Sequence, residues 1–579
     1  MRPICAALLL LAAACASPAG TIWVDVNNTS GVEDGSAAHP FNTVQEGIDA
    51  AVNGDEVVVL PGEYVETVTL EGSGITSNFT LRSTDPLDPD VVAATVINGN
   101  LDGDPQTPEE SVVTFSGWED ATCELAGVTI TGGKGRGIHG GRYYVGWDLG
   151  GALIHNCVVT GNAGGGISAC AGPVVGCTIR GNTAYVGAGL CLCQGGVKDC
   201  AIVGNTAQRD GGGLSQCGEV VGCLIAGNVA GSSGGGLETC WEIRDCVIAG
   251  NSAGVFGGGA YGCGSCHDVD MANCTVVGNV ALSGSGLSHA GPLASCIIWG
   301  NSPQAHPQVD ICSDCVTYSC IQNWTRGGEG NISADPMFVD YNGGDYRLLP
   351  ASPCIDSANG YSAPEFDITG RARCDHPEVP NTGVGDPPYA DMGAYESYLQ
   401  TFTSPPGLLR RGWNLVSLPI DPAPHHPESV WGNQLAAGNI LTGNLYGYIN
   451  PTGYTEYTRT LTAMEHARGY WLRLRYPTAE DVVGEATGGP VSISLELGWN
   501  LIGHPLPDDV LWHACLIRHG EQELHIPQAA FAGWIQEAAF GFSPGSGQYF
   551  RVPEYDPFLR PWQGYWVLAY RAGLELVVP

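Results

Sequence analysis

From Cys157 to Asn301 apolar side chains recur two residues apart and then break off at a glycine. The phrase Cys-x-Val/Ile-x-Gly-Asn returns seven times, opening at Cys157, Cys177, Cys200, Cys223, Cys246, Cys274 and Cys296 and spaced by 20 to 28 residues. Alternation of period two predicts a strand with Cys and Val/Ile on one face, because successive strand side chains point to opposite sides. Between copies stands a glycine cluster closed by an apolar residue, as in Gly164 to Ile167, Gly211 to Leu214 and Gly234 to Leu237. Cys170, Cys193, Cys217, Cys240 and Cys263 follow three residues after that apolar position.

A fixed period in this range predicts a solenoid. Each unit is too glycine-rich, and its apolar spacing too short, for a pair of helices, so the unit is a coil of short strands. If every coil puts the same residue at the same corner, coils stack about 4.8 Å apart and like residues form columns. Asparagines in such a column can pass amide hydrogen bonds from coil to coil. Glycine and asparagine also tolerate the left-handed backbone of a sharp corner. A parallel β-helix is the predicted fold.

Before the repeats, Ile22 to Val26 reads as a strand. Phe41, Val44, Ile48 and Ala51 or Val52 lie at helical spacing, with Asn42 or Thr43 to cap the start and Gly54 to stop it. Glu56 to Leu60 and Tyr64 to Leu70 read as strands around Pro61-Gly62. The helix is expected to cover the first coil, since an open end exposes core and unpaired strand edge.

With its Gly-Asn corners, glycine triplets and this strand–helix–strand entry, the stretch from Thr21 to Ser397 resembles the right-handed parallel β-helix proteins of the pectate-lyase-like superfold, in their secreted bacterial repeat form. The resemblance implies architecture more than chemistry, because that superfold carries lyases, hydrolases and non-catalytic scaffolds. After Asn301 the period fails. The segments Asn331 to Phe338, Asp345 to Leu348, Ser352 to Asp356 and Asp391 to Glu396 resemble a closing segment that seals the last coil. Beyond a proline-containing linker, Gly412-Trp413-Asn414-Leu415 recurs as Gly498-Trp499-Asn500-Leu501, Tyr446-Gly447-Tyr448 as Phe540-Gly541-Phe542, and Gly469-Tyr470-Trp471 as Gly564-Tyr565-Trp566. This reads as a duplicated β-rich module with most of its aromatics in a core, similar to C-terminal units appended to secreted bacterial proteins; attachment to the cell surface or a sugar is the expectation for it. The expected layout is an export signal over 1–19, cap and first coils over 20–100, β-helix over 101–335, closing segment over 336–397, linker over 398–406 and module over 407–579. The predicted fold class is thus all-β: a β-helix with an N-terminal helix cap and a smaller β domain.

Charge narrows the partners. With 23 basic against 59 acidic residues the net charge is −36, which excludes a phosphate-binding surface and hence nucleic acid. Arg2 and the apolar run from Ile4 to Ala14 predict an export signal ending at Ser17-Pro18-Ala19. Leu11 to Cys15 also resembles a lipoprotein signal, in which Cys15 would carry a lipid anchor. No later run is long enough to span a bilayer. The expected location is the cell envelope or beyond.

Several residues are candidates for chemistry. Tyr143, Tyr144, Trp147 and Asp148, in a glycine-rich insertion, combine rings that stack on sugars with a hydroxyl-binding carboxylate. Glu238, Glu242, Asp268 and Asp270 come nearest to the paired carboxylates of a polysaccharide lyase or glycoside hydrolase, although a solvated acidic wall accounts for them. Asp340, Asn342 and Asp345 are the candidate calcium ligands. Cys263-Gly264-Ser265-Cys266-His267 matches the CxxCH haem string, but Cys263 falls on a core column, so haem is not expected. Zinc from these with Cys312 and Cys315 would need ligands from different coils. Column cysteines are expected as core-filling thiols, and Cys312, Cys315, Cys320, Cys354 and Cys374 as disulfide candidates. The leading expectation is a non-catalytic protein that binds a polysaccharide or cell-surface component. The rival is the lyase or hydrolase.

Overall fold

The computed structural model describes residues 20–70, 78–99, 110–116, 119, 122–140, 151–263, 271–303, 308–310, 315–376, 379–423, 425–427, 430–431, 434, 439–456, 461, 463–486, 490–520, 522–554 and 556–579. It divides into two compact units: one of residues 1–335, 356–375 and 380–396, the other of 336–355, 376–379 and 397–579.

In the first unit, successive short strands enter different sheets, and each sheet is built of strands one coil apart. The described residues form parallel sheets of twelve, eleven and ten strands and a short fourth of four. Register is strict: Ile179 pairs with Ile202, Ile202 with Ile225, and Ile225 with Ile248. This is a parallel β-helix. A hydrophobic core runs along it from Val24 to Ile321. Both cysteine columns point inward and are free thiols. Cys157 N–H meets Cys177 Sγ at 3.4 Å, and the contact repeats from Cys177 to Cys200 and from Cys200 to Cys223.

Each Gly-Asn corner divides the work. The glycine takes the left-handed turn, as at Gly181 and Gly204 (φ 62° and 65°), while the asparagine turns inward and is buried. From Asn162 to Asn301, each asparagine amide donates to the next at 2.9–3.0 Å. Glycine triplets answer to sterics: a Cβ on Gly213 would stand 2.6 Å from the Gly236 carbonyl of the next coil.

Both ends show devices of their own. Val44–Ala50 is the capping helix, with Thr43 as N-cap. The Glu66 carboxylate accepts from the Val44 and Gln45 N–H groups at 2.7 and 3.1 Å, satisfying two donors at the helix start. Tyr64 to Leu70, expected as one strand, bends at Glu66 into Gly62–Val65 and Val68–Leu70, which lie in different sheets. A second helix, Pro89–Ala94, follows Asp88 as N-cap. At the far end Gln308 replaces the next asparagine, its Oε1 accepting from Asn301 Nδ2 at 2.9 Å. Ile332 then bridges Cys320 in parallel, its carbonyl accepting from Ile321 N–H at 3.0 Å, and completes the last coil.

The later part of the expected closing segment lies along the flank instead of over the end. Gly393 N–H donates to Ser295 O at 2.7 Å, Ala394 N–H to Thr275 Oγ1 at 3.0 Å, and Asn273 Nδ2 to Asp391 O at 2.9 Å. The reason is apolar: the outward residues Val247, Val277 and Ile297 of these coils are buried and need a cover. The buried Arg373 guanidinium fastens it, bridging Asp245 at 2.6 Å and Glu396 at 2.8 Å.

The second unit is antiparallel. Gly412–Ser417, Gly469–Leu474, Ile440–Ile449 and Gly453–Glu456 make one four-stranded sheet; Gly498–Gly503, Gly564–Ala569, Ala539–Ser543 and Gln548–Val552 make another with the same order of pairing. Each has its own buried cluster, around Trp431 and Tyr470 in one and Trp512 and Tyr565 in the other. No helix among the described residues is long and apolar enough to cross a membrane.

Candidate functional site

The Gly-Trp-Asn turn prepares an outward tryptophan. Gly412 and Gly498 take φ of 98° and 105°, closed to other residue types. Asn414 then closes the turn: Oδ1 accepts from Arg410 N–H at 2.9 Å, and Nδ2 donates to Arg410 O and Gly412 O at 2.8 and 3.0 Å. Asn500 repeats this with Glu496 and Gly498. With both neighbours committed, Trp413 and Trp499 project outward, 38% and 42% exposed.

Strand alternation fills the rest of that face. In Gly469–Leu474 the side chains of Tyr470, Leu472 and Leu474 are buried, leaving Trp471 and Arg473 to the other side. Tyr470 OH accepts from Glu465 N–H and Tyr565 OH from Arg560 N–H, the latter at 2.8 Å, so each core tyrosine ties down the loop before its strand. Burial pushes the Tyr470 hydroxyl up to about 12 and raises that of Tyr565 further. Most aromatics of the repeated motifs are expected in a core. Tyr470 and Tyr565 are there, but Trp413, Tyr446, Tyr448, Trp471 and their counterparts are half-buried or exposed. Trp471 shares strand parity with Arg473, not with Leu472, and on the neighbouring strands Trp413 pairs across from Arg473 and Tyr446 from Trp471.

The two outer faces interlock reciprocally. Tyr448 of one sheet packs edge-on against Trp566 of the other, and Phe542 of the second against Trp471 of the first, each at 4.9 Å. A cavity of about 460 Å³ is lined by Trp413, Tyr446, Tyr454, Trp471 and Phe542. A second, of about 370 Å³, is polar, with Asn450, His466, Arg468, Ser492 and Glu496 among its walls and Tyr448 at its edge. Tyr448 also meets Tyr454 of the first cavity at 5.2 Å. Stacking surface and hydrogen-bonding groups thus adjoin.

The residues singled out by sequence lie elsewhere. Tyr143, Tyr144, Trp147 and Asp148 fall outside the described residues, as do Asp268, Asp270, Cys266, His267, Cys312 and the whole of 1–19 with Cys15. Cys263 is buried on its column, its thiol toward the Tyr261 carbonyl. Glu238 accepts from Ser215 Oγ at 2.6 Å and Thr239 Oγ1 at 2.5 Å. Glu242 sits across a turn from it beside Arg244, 3.5 Å away. Asp340 and Asp345 pair across a hairpin with the exposed Asn342 in its turn. Asp340 accepts from Gly343 N–H at 2.9 Å, and Asp345 is engaged by Arg347 at 2.7 Å. Arg347 reaches Glu485 as well, at 3.0 Å. Cys315 is disulfide-bonded and so not a thiolate for zinc, whereas Cys320, Cys354 and Cys374 are thiols. Among the described residues no group of three or more His, Cys, Asp or Glu side chains is placed to hold a metal.

No family model matches the chain, and no curated protein matches it. Among solved structures it is similar to the pectate lyase Pel9A, at 13% identity over 66% of this chain and 97% of that one, with a TM-score of 0.39. It is similar also to the pectin methylesterase from Aspergillus niger (15%, 42% and 81%, TM-score 0.28) and to a rhamnogalacturonan lyase (12%, 55% and 91%, TM-score 0.26). At these values nothing about residues or activity passes to this chain, and the β-helix rests on its own strand pairing.

Proposed function

We propose that this is an exported, non-catalytic β-helix protein that binds a polysaccharide or another cell-envelope component through the aromatic face of its C-terminal unit. The carrying observation is that face itself. Trp413, Tyr454, Trp499 and Tyr549 expose between 38% and 59% of their surface on adjoining sheets, and contiguous exposed apolar patches of this kind mark interaction sites. Sugar rings present apolar C–H faces that stack on aromatic rings, and hydroxyls that need polar partners. Tyr448 joins stacking rings to the cleft of Asn450, Arg468, Ser492 and Glu496, which supplies both. In this reading 407–579 is a duplicated binding module, the stacked coils are a rigid platform, and residues 1–19 direct export.

The test is a glycan array with the full chain, followed by reducing-sugar and unsaturated-uronate assays on every glycan retained. Retention without product supports binding. Product release that disappears in Glu238→Gln would replace this reading with a lyase or hydrolase acting on the β-helix wall, and no retention on any glycan or envelope fraction would overturn it.

A further inference from the structure

Within the aromatic face, the cavity of Trp413, Tyr446, Tyr454, Trp471 and Phe542 also suits a rounder group than a sugar ring. Its walls face several ways: Trp413 and Trp471 stand at 89°, Tyr446 and Tyr454 at 79°, Trp471 and Phe542 at 72°. A pyranose has two opposed apolar faces and stacks on parallel rings. A compact, methyl-covered cation is round, and attracts the negative face of any ring it meets, whatever the orientation. Among the described residues the lining holds neither a carboxylate nor an amide that would select an ammonium N–H. Charge agrees: at −36 the chain concentrates cations near its surface and repels anions. One ring already holds a cation, since the Arg473 guanidinium carbon lies 5.8 Å from the Trp413 ring centre.

We infer that this five-ring cavity is a cage for a quaternary ammonium group of the choline type, free or carried on a lipid headgroup. The inference rests on reading the aromatic face as a binding surface, and it assigns the ligand of one part of it. Methyl groups fill the space between the perpendicular walls, the ring faces stabilise the positive charge, and a ligand without an N–H suits a described lining that carries no carboxylate. Arg473, at the rim, is the built-in competitor.

The test titrates the full chain with choline and with 3,3-dimethyl-1-butanol, its neutral isostere, by calorimetry and tryptophan fluorescence. Choline is expected to bind at least about tenfold more tightly, since several ring faces each contribute to the charge preference. Arg473→Gln, an exposed change that leaves the rings in place, is expected to tighten choline binding by removing a like charge. Trp471→Leu is expected to weaken it about tenfold, with circular dichroism verifying the fold. Sedimentation with phosphatidylcholine vesicles, against phosphatidylglycerol vesicles as control, distinguishes the sources: retention assigns the lipid-borne headgroup, and choline binding without retention the free one. Equal affinity for the isostere, or no binding of choline at millimolar concentration, overturns the cage. A chain that fails with choline yet is still retained on a glycan loses only this inference, and failure on both removes the broader reading too.

Discussion

The Asn205 side-chain amide donates to the Asn228 side-chain oxygen one coil further on, at 3.0 Å, and also to the Ile179 carbonyl one coil back, at 3.0 Å. The Asn205 oxygen in turn accepts from both the backbone N–H and the side-chain amide of Asn182, each at 3.0 Å. One fully buried side chain therefore satisfies polar groups of three successive coils. Asn205→Ala strands several of them away from water, and each orphaned group costs about 1–3 kcal/mol. Urea unfolding is expected to register a loss of at least about 3 kcal/mol, far more than an Asn→Ala change on the surface.

The column thiols make a second test. The thiols of both columns are buried and so shielded from reagents. Burial also holds the Cys170 thiol up at about 12 and raises those of Cys246 and Cys274, whereas hydrogen bonds from neighbouring column thiols lower those of Cys200 and Cys217. Native protein at pH 8 is expected to leave both cysteine columns unlabelled by a maleimide or iodoacetamide, with all of them reacting once denatured. Mass spectrometry of the labelled peptides checks this.

The flanking segment should respond to pH through Asp245. Burial pushes its carboxyl up to about 7, Arg373 pulling it down and Asp367 and Glu396 adding to the rise. The folded chain then binds a proton that the unfolded chain releases near pH 4. Stability from this group is greatest below that point and declines as pH rises toward 7, by a total on the order of a few kcal/mol. Thermal unfolding at pH 5 and pH 8 is expected to show a smaller decline in Asp245→Asn than in the unaltered chain.

The turn asparagines predict a stability effect local to the aromatic unit. Asn414→Ala removes three hydrogen bonds that shape the Gly412 turn. A loss of about 1–3 kcal/mol is expected, seen as faster amide exchange over Gly412–Ser417 and Gly469–Leu474 with the β-helix strands unchanged.

The β-helix was legible because its periodicity is redundant: a column residue such as Ile202 is specified by its own alternation and by Ile179 and Ile225 one coil away. Single-copy devices were not. Gln308 as the end of the asparagine ladder carries no repeat to announce it, and Asp88-Pro89, a helix-start pair, stands outside the repeats. The aromatic face is hidden in the sequence for a physical reason: a tryptophan in a strand reads as core until its parity is compared with a charged neighbour, and Trp471 shares its side with Arg473. The flank cover over Val277 and Ile297 depends on contacts between residues about a hundred positions apart, which no local pattern encodes.

The most direct measurement is the affinity of the full chain for a glycan retained in the array, determined by calorimetry for the unaltered protein and for Tyr448→Ala, the residue joining the stacking rings to the polar cleft. Binding at least about tenfold weaker in the variant, with an unchanged melting profile, is the predicted result. Equal affinity would place the ligand elsewhere and contradict the account.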